Sequence, residues 1–214
     1  MADVTTGGNS SLGAASLSRR GYCILAGVDD LFDCPELRIR QPGKMLANRA
    51  SYEIHGAGRR LAIVTETGAH TRLALMMQQM PDTRLLEVTT PAGEPVLTLV
   101  KQASEWITEL RGPAGELIGR IRTGDTRRTY TLLDGQDHAV GQVTGDLALK
   151  RFTVTGPSGA RLARVRKTWA GPAKEMLTSS DHYKVEFNDP VPQPARTLTV
   201  MMPVLLDLTL YGPI

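Results

Sequence analysis

A turn signal that recurs about every 22 residues constrains the fold of this chain more than any other feature. Four segments share its layout: residues 91–94 (Pro-Ala-Gly-Glu), 113–116 (Pro-Ala-Gly-Glu), 134–137 (Asp-Gly-Gln-Asp) and 157–160 (Pro-Ser-Gly-Ala). Glycine supplies the positive φ of such turns, and proline or aspartate favours the position before it. Their glycines, at positions 93, 115, 135 and 159, are 22, 20 and 24 residues apart. This period fits one β-hairpin and its connector.

Consecutive hairpins predict a closed barrel, because closure removes exposed strand edges. A propeller blade would need about twice this repeat length. Residues 56–58 (Gly-Ala-Gly) resemble an earlier copy of the turn, and Gly-Asp pairs at 124–125 and 145–146 mark further connectors. In residues 183–187 (Tyr-Lys-Val-Glu-Phe) apolar and charged side chains alternate, which predicts a strand with one buried face. Residues 69–80 fit a helix or a strand, and we favour a strand.

The segment 195–211 changes character, since it is apolar almost all round. A helix of this kind is buried in protein or in lipid. At about 1.5 Å per residue it would span about 25 Å, short of the ~30 Å hydrocarbon core of a bilayer. Pro203 and Asp207 also argue against a membrane span. We therefore predict a helix enclosed by the barrel, with membrane insertion or a final pair of strands as the alternatives.

The N-terminal region predicts a tail rather than a folded element. Residues 1–20 are rich in Gly, Ser and Thr and lack the apolar run of a secretory signal. Two cysteines in 214 residues provide no disulfide framework. We therefore expect one barrel domain over residues 35–214 and a cytoplasmic location, with contact to a membrane surface as an option.

Two segments of the chain resemble a known family. Residues 167–183 (Lys-Thr-Trp-Ala-Gly-Pro-Ala-Lys-Glu-Met-Leu-Thr-Ser-Ser-Asp-His-Tyr) are similar to the phospholipid scramblase signature, and the plant LURP-one-like family is related. Residues 204–211, with one aspartate in an apolar setting, resemble the last helix of that family. The motif residues are Trp169, Gly171, Glu175, Asp181 and Asp207. The resemblance implies the tubby C-terminal-like fold, an antiparallel barrel of about twelve strands around a C-terminal helix.

What the resemblance implies for function is binding. Tubby proteins bind phosphoinositides on a basic surface, and scramblases are linked to calcium-dependent lipid movement. The acidic calcium loop of that family is degraded here: Ser179 stands in place of its first aspartate, and Pro190 and Pro192 in place of its trailing acids. Calcium takes about six to eight oxygen ligands, so we expect no metal site. We expect no cofactor either.

Catalytic constellations are missing from the sequence. The four histidines are scattered without metal-ligand spacing, and there is no Gly-x-Ser-x-Gly elbow or phosphate-cradling loop. We therefore predict that the protein is not an enzyme. The residues around Trp169 fit either a ligand groove or simple packing of the indole against the barrel.

The distribution of charge suggests a binding surface. Residues 111–176 contain twelve basic and six acidic residues, a net charge of +6 against +3 for the whole chain. Bases two apart on a strand share a face, so neighbouring strands can gather them into a patch for anionic phospholipid headgroups. The candidate lipid-binding residues are Arg120, Arg122, Arg164, Arg166, Lys167 and Lys174. The alternatives are a protein-interaction scaffold, a solvated barrel exterior and, last, nucleic-acid binding, since only Tyr130 interleaves an aromatic ring with these bases.

Overall fold

A computed structural model describes residues 28–41, 50–67, 83–102, 106–168, 182–188 and 190–210. Within these ranges, twelve antiparallel strands follow one another around a closed barrel, and β1 pairs with β12 to complete it. The strands are β1 Glu36–Arg40, β2 Ser51–Gly56, β3 Arg59–Thr67, β4 Thr83–Thr89, β5 Pro95–Gln102, β6 Ile107–Arg111, β7 Leu117–Thr123, β8 Thr129–Asp134, β9 Ala139–Gly145, β10 Arg151–Thr155, β11 Arg161–Thr168 and β12 His182–Phe187. Helix α1 is Val28–Asp33 and helix α2 is Ala195–Leu210.

The four predicted turns are confirmed, and their period is more regular than their glycines indicate. The residues with positive φ are Gly93, Gly115, Asp137 and Gly159, each 22 residues after the one before. In the third turn Asp137, with φ of 66°, takes the place that we assigned to Gly135. Aspartate tolerates this left-handed conformation better than most residues with a side chain. Each turn is closed by a backbone bond from this residue to the carbonyl three positions earlier.

Two further turns, residues 124–128 and 146–150, confirm the Gly-Asp connectors. Their positive-φ residues are Arg127 and Leu149, again 22 positions apart. Because the strands run antiparallel, these turns lie at the opposite end of the barrel from the first four. We name the two ends after their turns: the Pro–Gly end has turns 57–58, 90–94, 112–116, 134–138 and 156–160, and the Leu147 end has turns 124–128 and 146–150.

The core of the barrel is filled by α2, as predicted. Every residue from Ala195 to Leu208 is buried, and apolar side chains from the inner faces of the strands surround the helix. The helix begins at the Pro–Gly end, where the Gln193 side-chain oxygen accepts bonds from the Thr197 backbone N–H (3.2 Å) and hydroxyl (2.7 Å). Among the described residues, no helix has the length and hydropathy required to cross a bilayer.

One element was missed from the sequence, and several predicted segments lie outside the described residues. Helix α1 precedes β1, and its Leu31 is buried in the core, although no periodic pattern predicts so short a helix. The tail 1–20 and the segment 69–80 are not among the described ranges.

Candidate functional site

The four candidate strand arginines face outward, because their neighbours in sequence face the core. On β7, Ile121 is buried while Arg120 and Arg122 lie on the outer face. On β11, Val165 is buried between Arg164 and Arg166 in the same way. Each pair therefore shares a strand face, as predicted, because residues two apart in a pleated strand point the same way.

The two arginine pairs are not neighbours. Strands β8, β9 and β10 lie between β7 and β11, so the pairs are four strand spacings, or about 19 Å along the sheet, apart. The outer positions between them along one cross-strand row include Thr131 and Gln142. The two pairs alone therefore do not form the single patch that we expected.

Lys167 requires a correction. We grouped it with Arg164 and Arg166, but strand alternation places it on the inner face. It pairs across the strands with the buried Tyr183, and its Nζ lies 5.9 Å from the centroid of that ring. An odd separation along a strand reverses the face, so Lys167 belongs to the rim of the barrel interior at the Leu147 end.

Acidic partners neutralise two of the outward arginines. Arg120 binds Asp137 at 2.7 Å and Glu109 at 3.1 Å, and these hydrogen bonds raise the pKa of Arg120. Arg166 binds Glu186 at 2.5 Å. The pKa of Glu186 is lowered first by its bond to Lys184 and then by Arg166. These two arginines therefore present little uncompensated charge.

Other bases gather at the Leu147 end, and we call them the basic arc. Residues 122–128 and 146–151 contain five basic residues against two acids. The members of the arc are Arg122, Arg127, Arg128, Lys150 and Arg151. Within the described ranges, Arg122, Arg127 and Arg128 form no ion pair, and Arg151 lies within electrostatic range of Asp146. Sequence reasoning counted these bases but selected only one, because it considered strand faces and not which turns share an end.

Backbone hydrogen bonds join the arc into one rim. The Thr123 N–H donates to the Trp106 carbonyl at 2.6 Å, the Gly145 N–H to the Arg128 carbonyl at 2.7 Å, and the Lys167 N–H to the Lys150 carbonyl at 2.8 Å. The rim therefore runs without interruption from the start of β6 to the end of β11. Its order is fixed by sheet pairing and not by flexible side chains.

Polar groups also line the inside of the barrel at the Leu147 end. The Tyr52 hydroxyl donates to Asp207 Oδ2 on α2 at 2.6 Å, and burial, with the Asp207 charge next, raises the pKa of Tyr52. Arg84 binds Glu66 through two bonds of 2.7 and 2.9 Å. Burial lowers the pKa of Lys101, and the positive charges of Arg84 and Arg127 lower it further.

Most of the motif falls outside the described part of the chain. Trp169, Gly171, Lys174, Glu175 and Asp181 lie in residues 169–181, which join the end of β11 to the start of β12. Asp207 is described, and it bonds a core tyrosine inside the barrel. Within the described ranges no three His, Cys, Asp or Glu side chains come together as metal ligands.

The chain has the tubby-like fold, a closed barrel around a central helix, as predicted. A protein from Arabidopsis thaliana, solved by X-ray crystallography, matches with a TM-score of 0.52 over 85% of this chain and 98% of that chain. The identity is 14%, so this likeness shows the fold alone. The family model described as Scramblase matches residues 49–212, and the chain belongs to this family. No individually curated protein matches significantly.

Proposed function

We propose that this protein is a non-enzymatic, peripheral module that binds anionic phospholipid headgroups at a membrane surface through the basic arc. Membership of the Scramblase family supports an interaction with phospholipid. The observation that carries the proposal is the concentration of five bases on one continuous rim, of which Arg122, Arg127 and Arg128 form no ion pair with any other described residue. This location revises the surface proposed from the sequence, which placed the headgroups on the faces of β7 and β11.

The expected binding is electrostatic. Each base near an anionic bilayer contributes about 1 kcal/mol, and the attraction declines within a Debye length. Five bases against two acids can therefore hold the protein on an anionic surface at low salt and release it at high salt. The same rim has no comparable attraction for a neutral bilayer.

Co-sedimentation with vesicles tests the proposal. Phosphatidylcholine vesicles with and without phosphatidylserine are compared at low and high salt, for the wild-type protein and for the double variant Arg122→Glu with Arg151→Glu. We expect wild-type binding to the anionic vesicles only, and a loss of about 1,000-fold in the double variant, because each reversal removes about 1 kcal/mol of attraction and adds repulsion of the same size.

The matched control reverses two arginines at the Pro–Gly end, Arg111→Glu with Arg161→Glu, which gives the same net charge. Near wild-type binding is expected, because these side chains lie at the far end of the barrel. Equal losses in both double variants would mean that total charge, and not the arc, governs binding. No binding by the wild-type protein would refute the proposal and leave the scaffold alternative.

A further inference from the structure

The exposed large apolar side chains of the described residues both lie at the Leu147 end. Leu147 is 87% exposed at the tip of the turn 146–150, and Trp106 is 53% exposed where β6 begins. Single exposed apolar residues are ordinary on protein surfaces. Here, however, Leu147 lies within the basic arc and Trp106 lies beside it, because the arc follows the rim from β7 to β10 and Trp106 is hydrogen-bonded to its first strand.

The fold itself does not need a leucine at position 147. The turns 124–128 and 146–150 are equivalent: Arg127 and Leu149 have φ of 53° and 54°, and each donates to the carbonyl three residues earlier at 3.1 Å. In this alignment Asp125 occupies the place of Leu147. Leu149 of the same turn already packs against the core. An apolar side chain at 147 therefore contributes little to the turn or to the core.

We infer that Leu147 and Trp106 enter the interfacial layer of an anionic bilayer when the basic arc holds the protein there. The inference rests on the proposed function and adds an orientation: the barrel stands with its Leu147 end toward the lipid. Transfer of a leucine at a hairpin tip out of water lowers the free energy. Tryptophan favours the interface because its ring is apolar and its N–H is polar. The basic arc, which includes the turn of Leu147 and begins on the strand bonded to Trp106, makes an anionic membrane the complementary partner.

The first test replaces Leu147 without altering charge. Since the side chain is exposed, Leu147→Ala leaves the fold intact, and we expect about tenfold weaker binding to phosphatidylcholine–phosphatidylserine vesicles from the apolar area lost. Leu147→Met is the matched control and keeps wild-type binding. Leu147→Asp introduces the residue that the equivalent turn already carries, so it folds and binds more weakly still.

The salt dependence of binding distinguishes the apolar contribution of Leu147 from the electrostatic contribution of the basic arc. The fold-loss caused by Leu147→Ala persists as salt increases, because burial of apolar area is not screened. The fold-loss caused by Arg122→Glu with Arg151→Glu shrinks with salt, because charge attraction is screened. A Leu147→Ala effect that disappears at moderate salt contradicts insertion.

A second, direct test uses tryptophan fluorescence with vesicles whose lipids carry bromine on the upper acyl chain. Bromine quenches an indole only at close range, so quenching in the wild-type protein that is lost in Trp106→Phe reports that Trp106 has entered the bilayer. The second tryptophan of the chain is present in both proteins and cancels in the comparison.

The outcomes distinguish this inference from the function on which it rests. If Leu147→Ala and Leu147→Asp bind like the wild type while the arc variant does not, the membrane function stands and insertion is wrong. If Leu147→Ala weakens binding and the arc variant does not, insertion of Leu147 is supported and the electrostatic proposal fails. If the wild-type protein binds no vesicle, both are overturned.

Discussion

Both ends of the barrel have tight turns of repeating backbone geometry, but the turns of the two ends carry different residues. At the Pro–Gly end the tight turns contain four acidic residues and no Lys or Arg. At the Leu147 end the two described turns carry Arg127, Arg128 and Lys150, with Leu147 exposed between them. Backbone geometry repeats every 22 residues at both ends. The difference therefore lies in the side chains and not in the backbone, and it supports the proposal that the Leu147 end is the binding surface.

Inside the barrel the ends also differ. At the Pro–Gly end the buried Arg196 donates to the Cys34 carbonyl at 2.7 Å and lies 4.0 Å over the ring of Phe187. At the Leu147 end the helix is held by the bond from Tyr52 to Asp207, and Lys101 remains half-buried on the inner wall. At the first end the buried charge is hydrogen-bonded and covered by an aromatic ring, whereas at the second end Lys101 is only half-buried.

The largest expected effect concerns the buried Arg196 at the Pro–Gly end. Arg196→Ala is expected to lower the free energy of unfolding by about 2–4 kcal/mol, because it leaves a cavity and removes a buried hydrogen bond. Arg196→Met should lose less, because it keeps an apolar stem and avoids a charge whose burial lowers the pKa of Arg196. Urea unfolding measures both, with Arg161→Ala as the exposed control. An unchanged midpoint in Arg196→Ala would mean that the Pro–Gly end does not depend on this residue.

The next prediction concerns the interior of the Leu147 end. Tyr52→Phe removes the hydroxyl that donates to Asp207 and is expected to cost about 2 kcal/mol, as for a hydrogen bond to a charged group. Because the pKa of Tyr52 is raised, its phenol stays protonated in the folded protein, and the difference from the wild type should stay constant from neutral pH up to the ordinary tyrosine pKa of about 10. Paired urea curves at the two pH values provide the measurement. A difference that falls within this pH range would contradict this account.

The next smaller effect tests whether vesicles bind at the end of the barrel rather than on its side. Arg164→Glu with Arg166→Glu is expected to weaken vesicle binding by about tenfold, less than reversal of the arc, because Arg166 is already paired and each base contributes about 1 kcal/mol. Co-sedimentation beside the arc variant measures the contrast. A greater loss than that of the arc variant would move the binding surface to the face of β11.

The smallest effect concerns Glu109, which binds the outward Arg120. Glu109→Gln should lower stability at neutral pH by about 0.5–1 kcal/mol, as for exposed ion pairs. The bonds to Arg111 and then to Arg120 hold the pKa of Glu109 below its usual 4.5. Its contribution is therefore full above pH 4.5 and is lost as the pH falls through the lowered pKa. Urea midpoints of both proteins should converge in acid, and a gap that persists there would contradict this account.

Local signals allowed much of the fold to be predicted. The structure confirms three predictions from local patterns: the turns, the strand with alternating residues in 183–187 and the helix in the apolar segment 195–211. Each pattern involves residues that are close in sequence. The surface was harder to predict, as Lys167 shows: it was placed with Arg166 although adjacent strand residues face opposite ways. Arg127 and Arg151 were counted but not selected, because only strand faces were considered, and only sheet pairing brings their turns to one rim.

The sequence by itself determined that this chain forms repeated hairpins and encloses an apolar helix, because turn geometry and strand pleat are local properties and a helix apolar on all sides must be buried. Only the tertiary structure decided which turns share an end, that the arginines of β7 and β11 are separated, and that Arg122, Arg151, Trp106 and Leu147 meet on one rim. Barrel closure and register set those distances, and both depend on pairing between strands remote in sequence.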